Sequence, residues 1–230
     1  MRVALLLSGG TGTRMGAALP KQYVEVAGKP LFAYALKGLA DSGVVAAVQV
    51  VAAEAWKPLI EDWLVREELH GLFRGFSKPG ENRQLSIYNG LLDIERYAEN
   101  DSPVLIHDAA RPYLTGRMVQ DYFAAAEGHD GALPVLPMKD TIYQSRDGKV
   151  ISGLLPREEL FAGQAPEVYR LGKYIAANKT LLPERILSIN GAAEPAVLTG
   201  MDIVVVPGEE ANFKVTTRAD LERFRQQIEG

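Results

Sequence analysis

The chain has 230 residues, a formal net charge of −4 and no cysteine; its sequence pI is about 5.5. Hydrophobic residues at 47% and charged residues at 23% are ordinary globular values and argue for a folded domain rather than a disordered chain. The acidic balance argues against nucleic acid as a bulk partner but permits a local cationic pocket for a small phosphorylated ligand. Lack of cysteine removes disulfides, thiolate zinc sites and a thiol nucleophile together, and suits a cytoplasmic protein.

In chain order, the first apolar run is "VALLL" at 3–7. It is too short for a signal h-region or a membrane span and reads as a buried first strand. It runs into "SGGTGTRMG", where glycines remove Cβ atoms and let backbone N–H groups crowd an anion. Two familiar phosphate loops do not fit. A P-loop needs Lys-Ser or Lys-Thr after its glycines, and a dinucleotide fingerprint needs glycine where Met15 stands. Arg14 and, seven residues on, Lys21 in "LPKQY" add two cations to the backbone donors, as charge on a reacting phosphate requires.

A helix is expected over 30–43, with Leu31, Tyr34, Ala35 and Leu39 inward and Gly43 at its end. A strand follows at 46–52. "SKPGENRQLS" (77–86) reads as a polar loop opening a second helix, with Gly80 allowing close approach and Arg83 or Ser86 facing the site. That helix places Leu85, Tyr88, Leu92 and Tyr97 on one face. "PVLIHD" (103–108) is a third strand. Asp108 ends it, at the carboxyl edge where open α/β sheets gather ligands, and is a candidate Mg²⁺ ligand. Arg111, three residues on, either faces an anionic second substrate or pairs with Asp108. His107 has no second His or Cys nearby and reads as a packed or hydrogen-bonded histidine.

Further strands are expected at 131–137 and 202–208. Their β-branched, continuous character suggests a parallel sheet covered on both faces, hence a three-layer α/β domain spanning 1–230. Between them "KDTIYQSRDGKVISGLLPREEL" (139–160) holds two β-prone runs around Arg146-Asp147-Gly148. This is a hairpin arm that needs another surface to cover it, so a homodimer is inferred. "NFKVTT" (212–217) puts Lys214 near the same sheet edge as a third cation, just before a last helix with Thr217 as N-cap and Leu221, Phe224 and Ile228 inward.

Taken together, "SGGTGTRMG…PKQY", "PGENRQLS", "HDAARPY", "MKDTIYQS" and "ANFKVTT" resemble, in order and spacing, the 2-C-methyl-D-erythritol 4-phosphate cytidylyltransferases and the similar ribitol-5-phosphate cytidylyltransferases. The resemblance spans essentially the whole chain. It implies a Rossmann-like nucleotidyltransferase domain with the β-arm exchanged across a homodimer, and a reaction in which a polyol phosphate attacks the α-phosphorus of CTP with Mg²⁺. By the same resemblance, Arg14 and Lys21 match the cations on the α-phosphate. Ser8, Gly9, Gly10, Gly80, Glu81, Ser86 and Ala109 match the cytidine and ribose contacts, and Asp108 the metal ligand. Arg111, Thr141, Arg157 and Lys214 match residues around the acceptor, Thr141 and Arg157 coming from the partner's arm; Lys214 joins Arg14 and Lys21 as a candidate catalytic cation.

Three positions depart from the family pattern. Ala165 precedes Pro166 where threonine is common, and Asn190-Gly191 replaces a Thr-Asp or Ser-Asp pair. These lie on the acceptor side and leave the nucleotide chemistry intact. Gly163-Gln164 is nearer the ribitol-phosphate members. The resemblance therefore implies methylerythritol phosphate as acceptor, CDP-ribitol formation as the alternative, and a non-catalytic nucleotide-binding regulator as the reading from another class.

Overall fold

The computed structural model describes residues 1–10 and 19–229; Arg14 lies outside them. In chain order the strands are β1 (Val3–Leu7), β2 (Glu25–Val26), β3 (Lys29–Pro30), β4 (Ala47–Val51), β5 (Phe73–Ser77), β6 (Pro103–Asp108), β7 (Gly131–Pro137), β8 (Ile142–Gln144), β9 (Gly153–Leu155), β10 (Phe161–Gly163), β11 (Glu167–Arg170) and β12 (Ile203–Pro207). The helices are α1 (Leu31–Asp41), α2 (Lys57–Arg66), α3 (Arg83–Ile94), α4 (Gly116–Ala125), α5 (Leu171–Lys179), α6 (Glu194–Leu198) and α7 (Arg218–Glu229). Among the described residues, no helix is long and apolar enough to cross a membrane.

The sheet runs β5-β4-β1-β6-β11-β7, with β10 and β12 also on β7. Its first four strands and the β7–β12 pair are parallel, as the apolar runs suggest. The all-parallel expectation fails at β10 and β11, which are antiparallel to their neighbours. Alternation on β1 separates the two faces. Ala4 and Leu6 pack with Phe32, Leu36 and Phe123 on one side, while Val3 and Leu5 pack with Ile87, Leu91 and Tyr174 on the other. Burying both faces of a central strand between helices gives the three layers.

The α3 face is displaced from the expected one. Ile87, Gly90, Leu91 and Ile94 are buried, whereas Tyr88, Leu92 and Tyr97 pack only partly buried. Gly90 sets the register: a Cβ there would lie 2.5 Å from a Leu5 methyl, so only the glycine side of the helix can approach β1 this closely.

α7 is capped as expected. Thr217 Oγ1 accepts the Asp220 N–H at 3.1 Å, and Asp220 returns a carboxylate oxygen to the Thr216 and Thr217 N–H groups at 2.8 Å. This reciprocal cap fixes the chain that follows Lys214. Phe224 is buried edge-on to Tyr34.

β8 and β9 pair antiparallel as a separate two-stranded sheet. Their turn is closed by Asp147 Oδ1, which accepts from Lys149 and Val150 N–H at 2.9 and 3.0 Å, with Gly148 at φ +70°. Tyr143, Val150, Ile151 and Leu154 are each more than half exposed on this arm.

Candidate active site

β1 pairs in register with β6, Leu7 opposite Asp108, and with β4, Leu7 opposite Val51. The strand ends are therefore level, and Ser8-Gly9-Gly10 emerges beside Asp108 at the carboxyl edge. Ser8 is buried, donating its N–H to Val51 O at 2.8 Å and its hydroxyl to Tyr23 at 3.1 Å. Gly9 must be glycine because a Cβ would sit 2.8 Å from Pro79 of the second polar loop. The two loops touch there.

Asn82 caps α3, its Oδ1 accepting the Leu85 N–H at 2.8 Å. Ser86 accepts the Gly80 N–H at 2.9 Å and donates to Asn82 O. Gly80 has no room for a Cβ, which would lie 2.6 Å from Leu85. An ordinary capped helix start is thus also what aims Arg83 at the site. Glu81 is exposed, and Ala109 is buried with its N–H on Leu7 O.

Asp108 is the centre of the arrangement. Arg83 Nε donates to its Oδ1 at 2.9 Å and Lys214 Nζ to its Oδ2 at 2.8 Å. Burial works to raise its pKa, but the Arg83 and Lys214 charges outweigh that and hold the carboxyl well below the usual carboxylate range. Arg83 also reaches Glu167, Nη2 to Oε1 at 3.5 Å, and Glu167 accepts from the Tyr169 hydroxyl at 2.6 Å. Burial raises the Glu167 pKa, partly offset by Arg83.

Arg111 does not pair with Asp108 through side chains. Its N–H turns back to Asp108 O at 2.9 Å, and its Nη1 donates to Asn212 O at 2.6 Å. Burial lowers its pKa. Asn212, itself buried, donates to Ala165 O at 2.7 Å, tying the Lys214 segment to the connection between β10 and β11. Three cations thus converge with two carboxylates before Lys21 is counted, which leaves the cluster net positive and suited to phosphate oxygens.

His107 is packed and hydrogen-bonded, as expected. Its Nε2 lies 2.9 Å from Arg111 O, which requires the proton on Nε2 and leaves Nδ1 an unpaired acceptor among the described residues. Burial lowers its pKa to about 4. Because the unfolded chain takes up this proton near pH 6.5 and the folded one does not until about pH 4, stability is full above pH 6.5. It should fall by about 3 kcal/mol across that window. Urea denaturation at pH 7 and pH 5 checks this: the slope should be reduced in His107→Gln, and an equal slope would count against it.

Thr141 and Arg157 are exposed on the arm, and Arg157 donates to Lys139 O at 2.9 Å. Within one chain neither bonds Asp108, Arg111 or Lys214. Asn190 and Gly191 are exposed. Ala165 and Gln164 are buried; the Gln164 amide exchanges two hydrogen bonds with the Glu209 backbone, both 3.0 Å. Gln164 therefore holds the Glu209 backbone. Sequence reasoning missed Glu167, hidden in the short "PEVYR", and Gln22, whose amide reaches the glycine turn.

A glycine turn flanked by converging cations, with Asp108 buried at the edge of a Rossmann-like sheet, is the arrangement of a nucleotidyltransferase. The family model described as IspD, 2-C-methyl-D-erythritol 4-phosphate cytidylyltransferase, matches residues 2–228. The chain is similar to proteins of that name from Thermotoga neapolitana, 34% identical over 98% of this chain and 96% of the relative, and from Rubrobacter xylanophilus, 36% identical over 95% and 91%. Its fold matches the crystal structure of 4-diphosphocytidyl-2C-methyl-D-erythritol synthase from Anaerococcus prevotii, with TM-score 0.84, 21% identity and coverage of 100% and 96%. The chain belongs to the 2-C-methyl-D-erythritol 4-phosphate cytidylyltransferase family.

Proposed function

We propose that this chain transfers the cytidylyl group of CTP to 2-C-methyl-D-erythritol 4-phosphate and releases pyrophosphate, working as a cytoplasmic homodimer. Family membership supports the reaction, and the observation that carries it is Asp108 held between Arg83 and Lys214 beside the glycine turn. A phosphate oxygen of the acceptor attacks the α-phosphorus, that P–O bond forms, and the bond to pyrophosphate breaks. The attacking oxygen is already ionised, so the site has to position it rather than deprotonate it. Lys21 and Arg14 are assigned to the charge building on the α-phosphate, and Lys214 and Arg111 to the incoming acceptor phosphate.

Among the described residues no group of three His, Cys, Asp or Glu side chains could cage a metal. Mg²⁺ does not need a cage, since it takes one or two carboxylates and fills its shell with water and phosphate. Among the described residues each Asp108 oxygen accepts one hydrogen bond, leaving a second lone pair. Asp108 therefore fits Mg²⁺ as its single protein ligand, where the ion would neutralise phosphate charge during transfer.

Of the departures from the family pattern, Ala165 is buried; Asn190 and Gly191 are assigned to acceptor choice. Pyrophosphate release with pure protein, CTP, Mg²⁺ and a panel of polyol phosphates tests the reading. Fastest release with methylerythritol phosphate supports it. Fastest release with ribitol phosphate overturns the acceptor, and CTP binding without release with any polyol would make the chain a regulator.

A further inference from the structure

Lys21 opens a single 3-10 turn, Lys21–Tyr23, and the two residues after it are buried glutamine and tyrosine. Gln22 spends both hydrogens of its amide on one stretch of backbone: Nε2 lies 2.9 Å from Ser8 O and 2.6 Å from Gly10 O. Tyr23 adds its hydroxyl to Ser8 O at 2.8 Å. The tyrosine is in turn rigid, stacked on Trp56 at 4.2 Å and 14° and edge-on to Phe32. Two successive side chains thus pull the carbonyls on either side of Gly9 in one direction.

A trans peptide carries its C=O and the following N–H on opposite sides. With Ser8 C=O turned toward Gln22 and Tyr23, the Gly9 N–H points away from them, and it donates to no acceptor among the described residues. Pro79 closes the Gly9 side on which a Cβ would sit. We propose that Gln22, backed by Tyr23, is a positioning residue that holds Ser8-Gly9-Gly10 with the Gly9 N–H presented to the nucleotide phosphates and ties that stretch to Lys21. The inference deepens the CTP-dependent reading and rests on it. A buried amide that merely filled the core would not need both its donors on a loop carbonyl pair, and leaving them unmade would be costly.

The test compares wild type, Gln22→Leu and Tyr23→Phe, measuring CTP affinity by calorimetry, the KM for CTP and for methylerythritol phosphate, and melting temperature. Gln22→Leu should weaken CTP binding and raise its KM by about tenfold, with the acceptor KM within about twofold of wild type; Tyr23→Phe, which keeps the stack, should give about threefold. Unchanged CTP affinity in Gln22→Leu, or equal losses for both substrates, would overturn the clamp. If Gln22→Leu does not fold, Tyr23→Phe decides by the same readout. A wild type that binds CTP without turnover, with weaker binding in the variants, would overturn the reaction and keep the clamp. An active wild type matched by both variants would do the reverse.

Discussion

Asp108→Asn is expected to lower folding stability by about 3 kcal/mol and turnover by roughly two orders of magnitude. The carboxylate is buried and each oxygen serves a different cation. An asparagine keeps one acceptor and turns its NH₂ toward the other cation, so a favourable contact becomes a repulsive one. The lower end of the range for a broken buried pair applies because Arg83 keeps Glu167 and Lys214 is partly solvated. The sign of the pH dependence follows from the depressed folded pKa. Asp108 contributes fully above its unfolded value near pH 4 and loses that contribution as pH falls further toward the folded value. The gap between wild type and variant in urea should therefore be constant from pH 8 to about pH 5 and shrink below about pH 4. A gap that stays constant through pH 3, or wild-type turnover at saturating Mg²⁺, would show that Asp108 is not the hub of the site.

The second large effect concerns the arm. Lys21→Ala and Arg157→Ala should each lower turnover by about a hundredfold, because the proposed reaction assigns one cation to the reacting phosphate and the other to the acceptor. Arg157 lies exposed on the arm and, among the described residues, bonds Lys139 O in its own chain, so the proposed homodimer delivers it to the partner's site. In a heterodimer of the two variants, one site carries both lesions and the other neither. Random exchange makes half the dimers mixed, and a preparation of two nearly inactive proteins should recover roughly a quarter of wild-type activity. Complete exchange, verified by native mass spectrometry, with no gain in rate would place Arg157 in its own chain's site.

The strands readable in the sequence were the apolar runs β1, β4, β6, β7 and β12, of which β1, β4 and β6 are buried on both faces and β12 only partly. β5, "FRGFS", is partly exposed, and β11 carries Glu167 and Arg170 in four residues, so neither has a periodicity to detect. The antiparallel sense of β11 was out of reach as well, because it depends on how the chain returns from the arm. On α3, apolar residues surround the helix, and the buried side was decided by Gly90 meeting Leu5, a contact 85 positions apart.

The candidate site was legible as a set of residue types but not as a network. Asp108, Arg83, Lys214 and Arg111 all announce themselves by position, yet the bonds joining Asp108 to Arg83 and to Lys214 cross 25 and 106 residues. Gln22 went unnoticed beside Lys21, because a glutamine in a polar turn looks solvated until its amide is seen on Ser8 and Gly10. Gln164, read in the sequence only as a likeness to the ribitol-phosphate members, turns out to hold the Glu209 backbone.

The arm leaves and re-enters the body through one narrow neck. β7 and β10 pair Pro137 with Phe161, and the next rung, Met138 N–H to Leu160 O at 3.1 Å, closes the excursion. Beyond that rung the arm reaches back to the body through the exposed Lys139–Glu210 ion pair, a surface contact of small energetic weight, so it behaves as a nearly detachable module. Evolution can lengthen, trim or redecorate it without shifting the sheet, and an engineer can graft a tight turn in its place at little loop-closure cost. The body and the appendage are thereby free to diverge at different speeds, one constrained by nucleotide chemistry and the other by the surface it meets and by the acceptor contacts proposed for Thr141 and Arg157.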